Sequence, residues 1–271
     1  MQTDLFAAPA GTPAGTPAGG APLSPECAAL TPVQDTGKTL VKRDDLFALH
    51  GSCGGKLRLM ISLLARAPGG IAAGGRRSTS APALAAACRA LGRPGVFHTA
   101  AGPDTIECDA AADAVEIKRH SPGYSGVIAA RARADSAARG WPVIGLECPE
   151  YVSMTAAQCA NLPWGNFNRI VIAAGTAMTL AGILHGLGPR RYRVLCIEVG
   201  APVAARLGRW APPWWRELVT IQPSGLRYDA SPPDCNFMGV DLDPLYEAKA
   251  IRHLQAGDLL WVVGKRPVAV R

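Results

Sequence analysis

The sequence contains no Cys-x-x-Cys pair, few charges and no long apolar run, and each absence removes a class of protein. Its eight cysteines, at 27, 53, 88, 108, 148, 159, 196 and 235, follow no metal-ligand or disulfide-framework spacing, so reduced, buried thiols are expected. The longest apolar stretches, within 169–174 and 259–263, fall far short of the roughly 20 residues a membrane helix needs. The opening Met-Gln-Thr-Asp-Leu-Phe has no basic segment leading into an apolar one; no export signal is expected, and the chain reads as cytosolic. A nucleotide phosphate loop fails, because G-x-x-x-x-G-K-S/T around Lys56 needs Gly where His50 stands and Ser or Thr where Leu57 stands. A serine-hydrolase elbow fails too: Gly123-Tyr124-Ser125-Gly126 is one residue short of G-x-S-x-G. Gly51-Ser52-Cys53-Gly54 suggests a cysteine nucleophile, yet no His with a supporting Asn or Asp can be placed beside it.

What is present is a chain of 271 residues, 48% apolar and only 18% charged, which excludes overall disorder and supplies a sizeable core. Its 28 Lys and Arg outnumber 21 Asp and Glu, a formal charge of +7; this fits an anionic partner or a solvated basic surface. Residues 7–22 repeat Ala, Pro, Gly and Thr with nothing to bury, and 1–36 is expected to be a flexible segment. Thereafter short β-branched runs alternate with helical stretches. They predict strands over 39–43, 95–99, 115–119, 142–147, 169–174, 193–199, 219–222 and 259–263. Helices are predicted over 56–66, 79–91, 124–139, 151–160, 177–187 and 246–256. The alternation predicts an α/β fold with a largely parallel sheet, whose ligands gather at the carboxyl ends of strands.

Four stretches carry candidate chemistry. Val41-Lys42-Arg43-Asp44-Asp45-Leu46 is followed by Cys53-Gly54-Gly55-Lys56, a lysine opening a helix behind two glycines. That lysine reads either as an exposed helix-start residue or as one held where glycines let a cofactor ring approach the backbone. Ser78-Thr79-Ser80 opens an alanine-rich helix ending at Leu91-Gly92; its hydroxyls suit an N-cap, and its free amides would equally suit a carboxylate. The strand 169–174 runs into Gly175-Thr176-Ala177-Met178-Thr179, an arrangement that can cradle a phosphate monoester at a helix N-terminus. Asp243-Pro244-Leu245-Tyr246-Glu247-Ala248-Lys249 places a Glu in a first helical turn, either as surface charge or as a buried partner of a heterocycle nitrogen.

In this order, these stretches resemble the fold-type II pyridoxal-phosphate (PLP) enzymes, in the 1-aminocyclopropane-1-carboxylate deaminase/D-cysteine desulfhydrase branch. That family reads K-R-E/D-D-L, G-G-N-K-x-R, S-N-H before an alanine-rich helix, G-S-G-G-T-x-A-G, and D-P-V/L-Y-E/T-G/A-K. The resemblance covers roughly residues 38–264 and implies two lobes, each with a largely parallel sheet flanked by helices. A large PLP-binding lobe would comprise 37–54 and 148–271, and a small lobe 55–147. The resemblance makes Lys56 the lysine that carries PLP and moves protons at Cα, and Gly175, Thr176, Ala177, Met178 and Thr179 the phosphate loop. It makes Glu247 the carboxylate facing the pyridine nitrogen, with Tyr246 the active-site tyrosine beside it. Ser78 would lie near the substrate carboxylate, Thr79 in place of the asparagine that meets the phenolic oxygen. Tyr228 aligns loosely with a second family tyrosine. No metal is implied, and relatives dimerise, so a homodimer is an open expectation.

The departures shape the expected substrate. G-G-N-K has become Cys53-Gly54-Gly55-Lys56, S-N-H has become Ser78-Thr79-Ser80, and G-S-G-G-T has become Gly175-Thr176-Ala177-Met178-Thr179. The stretch between Tyr228 and Tyr246 is shorter than in the family, so the site is expected to be open. The chain thus also resembles compact PLP decarboxylases of bacteriophages with hypermodified thymidine. That likeness implies a PLP-dependent lyase that decarboxylates an amino acid attached to a modified thymine in DNA, in evasion of host restriction. The alternative is a deaminase- or desulfhydrase-type lyase acting on a free small amino acid. Basic clusters at Arg76-Arg77, Arg131/Arg133/Arg139, Arg190-Arg191/Arg193 and Lys265-Arg266 could hold the phosphates of such a substrate, or simply form a solvated basic surface. Trp210, Trp214 and Trp215 would either stack on a base or pack in the core.

Overall fold

A computed structural model of the chain describes residues 25–188, 190 and 192–267. Its architecture is mixed α/β, with two parallel sheets that carry helices between their strands, as the alternation predicts. The larger sheet uses β1 (Val33–Asp35), β2 (Leu40–Arg43), β6 (Arg169–Ala174), β7 (Arg193–Glu198), β8 (Val219–Pro223) and β9 (Asp258–Val262). They lie in the order β1-β2-β9-β6-β7-β8, antiparallel only at the β1 edge. The chain's last strand therefore inserts at the centre, with Leu260 opposite both Val41 and Val171. β6, β7 and β9 read as continuous apolar runs because helices and loops cover both faces.

The smaller sheet is β3 (Gly70–Ala73), β4 (Gly95–Ala100) and β5 (Glu116–His120), all parallel. It packs against α2 (Ser80–Leu91) and α3 (Ser125–Arg139). Three further helices serve the region between the sheets: α1 (Gly55–Leu64), α4 (Pro149–Ala160) and α5 (Met178–Leu187). α4 and α5 lie unusually close. A Cβ on Gly182 would fall 2.4 Å from the Thr155 Cβ, and one on Gly186 2.5 Å from the Ala156 carbonyl. These glycines set how deeply α5 sits, and so where its N-terminus points.

Several expectations need correction. Of the segment expected to be flexible, 1–24 lies outside the described residues, but 25–36 is folded: it holds a short helix at Pro25–Ala28 and the edge strand β1. Residues 142–147 do not form a strand; Val143 makes one isolated bridge to Ile71, after which the chain turns away to line a cavity. Strand β3 was not predicted, since Gly-Ile-Ala-Ala has only one β-branched residue. The helix expected over 246–256 is a 3₁₀ segment at Glu247–His253, and this tighter winding buries Glu247, Ala248, Lys249 and Ala250 together. None of the eight cysteines forms a disulfide. Among the described residues no helix is long and apolar enough to cross a membrane, and no cluster of His, Cys, Asp or Glu could hold a metal.

Candidate active site

The carboxyl end of β6 leads through Gly175-Thr176 into α5, and the turn is built for an anion. Ala177 takes the left-handed conformation (φ 60°) that a non-glycine residue seldom adopts. The first intrahelical bond runs from the Ala181 amide to the Ala177 carbonyl. The amides of Ala177, Met178, Thr179 and Leu180 therefore have no acceptor within the helix, and the dipole adds positive potential there. Gly175, Thr176, Ala177, Thr179 and Leu180 line a cavity of ≈ 100 Å³. Met178 does not: its side chain is fully buried in the core, so it can offer only its backbone N–H.

The same cavity is lined by Lys56, Thr79, Tyr246 and Glu247. Lys56 comes from the first turn of α1, and its Nζ donates to Thr79 Oγ1 at 2.9 Å. Loss of water around the ammonium, reinforced by the Arg266 charge, lowers its pKa to about 8; Asp243 and Glu247 pull the other way. Glu247 is drawn into the interior by the 3₁₀ turn, where its Oε1 accepts the Val263 amide at 3.1 Å. Burial, with Asp243 adding repulsion, raises its carboxyl well above the usual carboxylate range. A lysine whose pKa is lowered and a glutamic acid whose pKa is raised thus share one small space.

Tyr246 leans over Gly175, where a Cβ would come within 2.8 Å of its ring. Its hydroxyl donates to the Tyr228 hydroxyl at 3.1 Å, the rings meeting edge to face at 86°. Tyr228 is held by a buried cation: Lys249 Nζ donates to the carbonyls of Arg227 and Tyr228 at 2.8 and 2.9 Å. Ser78 stands one step outward. Its Oγ accepts the Ser80 amide at 3.2 Å, and the residue lines a second, wider chamber of ≈ 550 Å³. Lys56, Gly175, Thr176 and Tyr246 border both spaces, so the inner cavity opens onto the chamber.

Two participants were not foreseen. Tyr151, on α4, shares a hydrogen bond with Thr179 Oγ1 at 2.9 Å and presses on Gly55, where a Cβ would lie 2.7 Å from its hydroxyl. It ties the start of α1 to the start of α5. Burial raises its pKa, so it stays a phenol. No local pattern marks it, because only the fold brings α4 beneath both helix starts. Replacing it by Phe leaves Thr179 without that partner and is expected to cost about 1 kcal/mol of stability in urea unfolding. Asp243 also lines the cavity, with Arg266 behind it.

Some residues of the basic clusters are tied up in ion pairs, and the tryptophans take the core placement. Arg266 is buried against Glu107 and Asp243, and Arg139 pairs with Asp135 and Glu116. Arg191 lies outside the described residues. Trp215 is a core residue, with Trp214 and Trp210 packed on cores, so none forms a stacking platform.

The fold is shared with a group of solved enzymes. A crystal structure of an ACC deaminase homologue superposes with TM-score 0.72 at 21% identity, covering 89% of this chain and 91% of that one. The processed form of threonine deaminase isoform 2 from Solanum lycopersicum gives 0.64 at 14% identity, covering 91% and 87%. A pyridoxal 5'-phosphate-dependent aspartate racemase gives 0.58 at 12% identity, covering 89% and 91%. This is the two-sheet α/β architecture that the motif order implied. No protein-family model and no curated protein sequence matches the chain.

Proposed function

We propose that the protein is a PLP-dependent lyase that breaks a bond at Cα of an amino-acid unit. The observation that carries this reading is the convergence on one cavity of the Lys56 amine, the Glu247 carboxyl and the start of α5, whose first amides have no acceptor within the helix. Each fits one part of the cofactor. The amides at Ala177, Met178 and Thr179 suit a phosphate monoester, with the Thr176 and Thr179 hydroxyls beside it. Glu247 suits a ring nitrogen, Lys56 the aldehyde carbon, and Thr79 a phenolic oxygen. When bound, the cofactor supplies an electron sink that lets a Cα bond break heterolytically. The protein's part is to choose the bond and handle the proton. Lys56, with a pKa near 8, can take or return a proton at Cα around neutral pH. Glu247 would face the ring nitrogen and supply the counter-charge that keeps it protonated. Tyr246, kept neutral by burial, walls one side of the cavity and leaves the chamber as the substrate's approach.

For the substrate, our reading is an amino acid carried on a modified thymine in DNA, decarboxylated in place. The wide chamber in front of Lys56, with Arg76 and Arg77 on its rim, supports it, because a bulky anionic carrier needs an open approach with positive charge at hand; Arg206, on the same chamber, is already paired with Glu147. A free small amino acid is the second reading, favoured by the similarity to the ACC deaminase homologue. Spectral titration of PLP-loaded protein with each substrate, followed by mass analysis of the product, separates the two. Salt-sensitive retention on DNA, with CO₂ released from amino-acyl-thymine DNA, is expected. Turnover of free D-cysteine or aminocyclopropane carboxylate, without DNA binding, would reverse the assignment.

A further inference from the structure

Arg266 belongs to a sequence pair expected at the surface, yet it occupies the seam between the two sheets. Its Nη1 donates to Glu107 Oε1 at 2.7 Å and its Nε to Asp243 Oδ1 at 3.1 Å; the three side chains are 12%, 8% and 5% exposed. Nη1 also donates to the Arg77 carbonyl at 2.9 Å. Each partner stands next to a wall of the site. The Arg77 carbonyl immediately precedes Ser78 and Thr79, and Glu107 lies on the short helix Ile106–Asp109 beside the smaller sheet. Asp243 begins the turn that delivers Tyr246 and Glu247, accepting the Leu245 amide at 2.9 Å.

We propose that Arg266 is a positioning residue: one guanidinium fastens the Ser78-Thr79 wall of the site to the Tyr246-Glu247 wall and fixes both around Lys56. Arg266 lines neither cavity, so it acts through these neighbours and through its field. The inference rests on the PLP reading only for what the walls enclose. A single cation bonds two buried carboxylates here, and removing it leaves Glu107 without its ion-pair partner and Asp243 with only the more distant charges of Lys56 and Lys249, which forces the walls apart or makes them take up protons. Its charge also bears on the amine, because Arg266 follows burial as a cause of the lowered Lys56 pKa, while Asp243 and Glu247 oppose it. Cys53, Tyr151, Tyr246 and Lys265 are the other titratable groups on the same cavity.

The test follows the pH dependence of Lys56 labelling by an amine-selective reagent in the full-length protein without cofactor, read by peptide mass. PLP affinity is measured separately from absorbance. Wild type is expected to label with a midpoint near 8. Arg266→Met should raise that midpoint by roughly one pH unit, since a like charge is gone. Glu107→Gln should lower it, since Arg266 is then less neutralised. Arg266→Lys should stay near wild type. PLP affinity should fall about 10-fold in Arg266→Met and recover in part in Arg266→Lys, as for a lost buried ion-pair contact. Folded variants with wild-type midpoints and wild-type PLP affinity would overturn the proposal, and so would midpoints that move in the same direction. If Arg266→Met does not fold, an unmoved midpoint in Glu107→Gln overturns it alone. Opposite midpoint shifts in a protein that fails to take up PLP would uphold Arg266 and refute the cofactor.

Discussion

Lys56→Ala is expected to remove the absorbance band that PLP acquires on binding covalently and to reduce turnover by about 10³-fold or more. Two lysines line the inner cavity, Lys56 and Lys265, and their surroundings separate them. Lys265 is one-third exposed, and its Nζ leans toward Asp241 at 4.0 Å. Lys56 has shed its water, faces Arg266 and holds its Nζ on Thr79. With a pKa of about 8, about a tenth of it is free amine at pH 7, against about three in ten thousand for an ordinary lysine. Lys265→Ala should therefore keep covalent attachment. The reverse pattern, with the band lost in Lys265→Ala and kept in Lys56→Ala, would place the chemistry on the wrong amine.

Gly54→Ala is expected to destabilise the fold by about 3 kcal/mol and to weaken PLP binding together with it. Gly54 precedes α1 with φ 86°, and an added Cβ would sit 2.1 Å from the Val263 carbonyl and 2.8 Å from the Gly264 Cα. Those atoms are backbone, so they cannot swing aside. The contact also holds the site together: the Gly55 amide donates to that Val263 carbonyl, while the Val263 amide donates to Glu247. Pushing Val263 away thus moves Lys56 and Glu247 apart. Gly51 separates this clash from backbone strain, because its φ is 76° but nothing lies within 4 Å of an added Cβ. Gly51→Ala should cost only about 1 kcal/mol, the strain alone. Denaturant unfolding of the two variants checks the difference, and equal costs would contradict it.

Much of this was legible in the sequence wherever local chemistry and tertiary role coincide. β6 and β7 could be read because a parallel strand buried on both faces is a near-continuous apolar run, and Ile170-Val171-Ile172 and Val194-Leu195-Cys196-Ile197 are such runs. Lys56, Thr79, Gly175, Thr176, Ala177, Thr179, Tyr246 and Glu247 meet in one cavity because each lies in a turn after a strand or at a helix start. Legibility ended where packing overrides local pattern. β3 is a strand because Leu64, Leu84 and Ile144 close around Gly70, not because its residues prefer one. Residues 142–147 have the composition of a strand, but Pro142 lacks an amide and the chain is needed to wall the chamber. Arg266 looked like surface charge because its two carboxylate partners lie 159 and 23 residues away. Tyr151 was missed for the same reason: its partners on α1 and α5 are distant in sequence.

The most direct test of the central claim is reductive trapping. PLP is mixed with the full-length protein, the mixture is treated with borohydride, and the modified peptide is identified by mass. A single phosphopyridoxyl group on Lys56 is the result expected from an amine desolvated beside Glu247 and the α5 amides. Labelling spread over exposed lysines, or confined to Lys265, would contradict it.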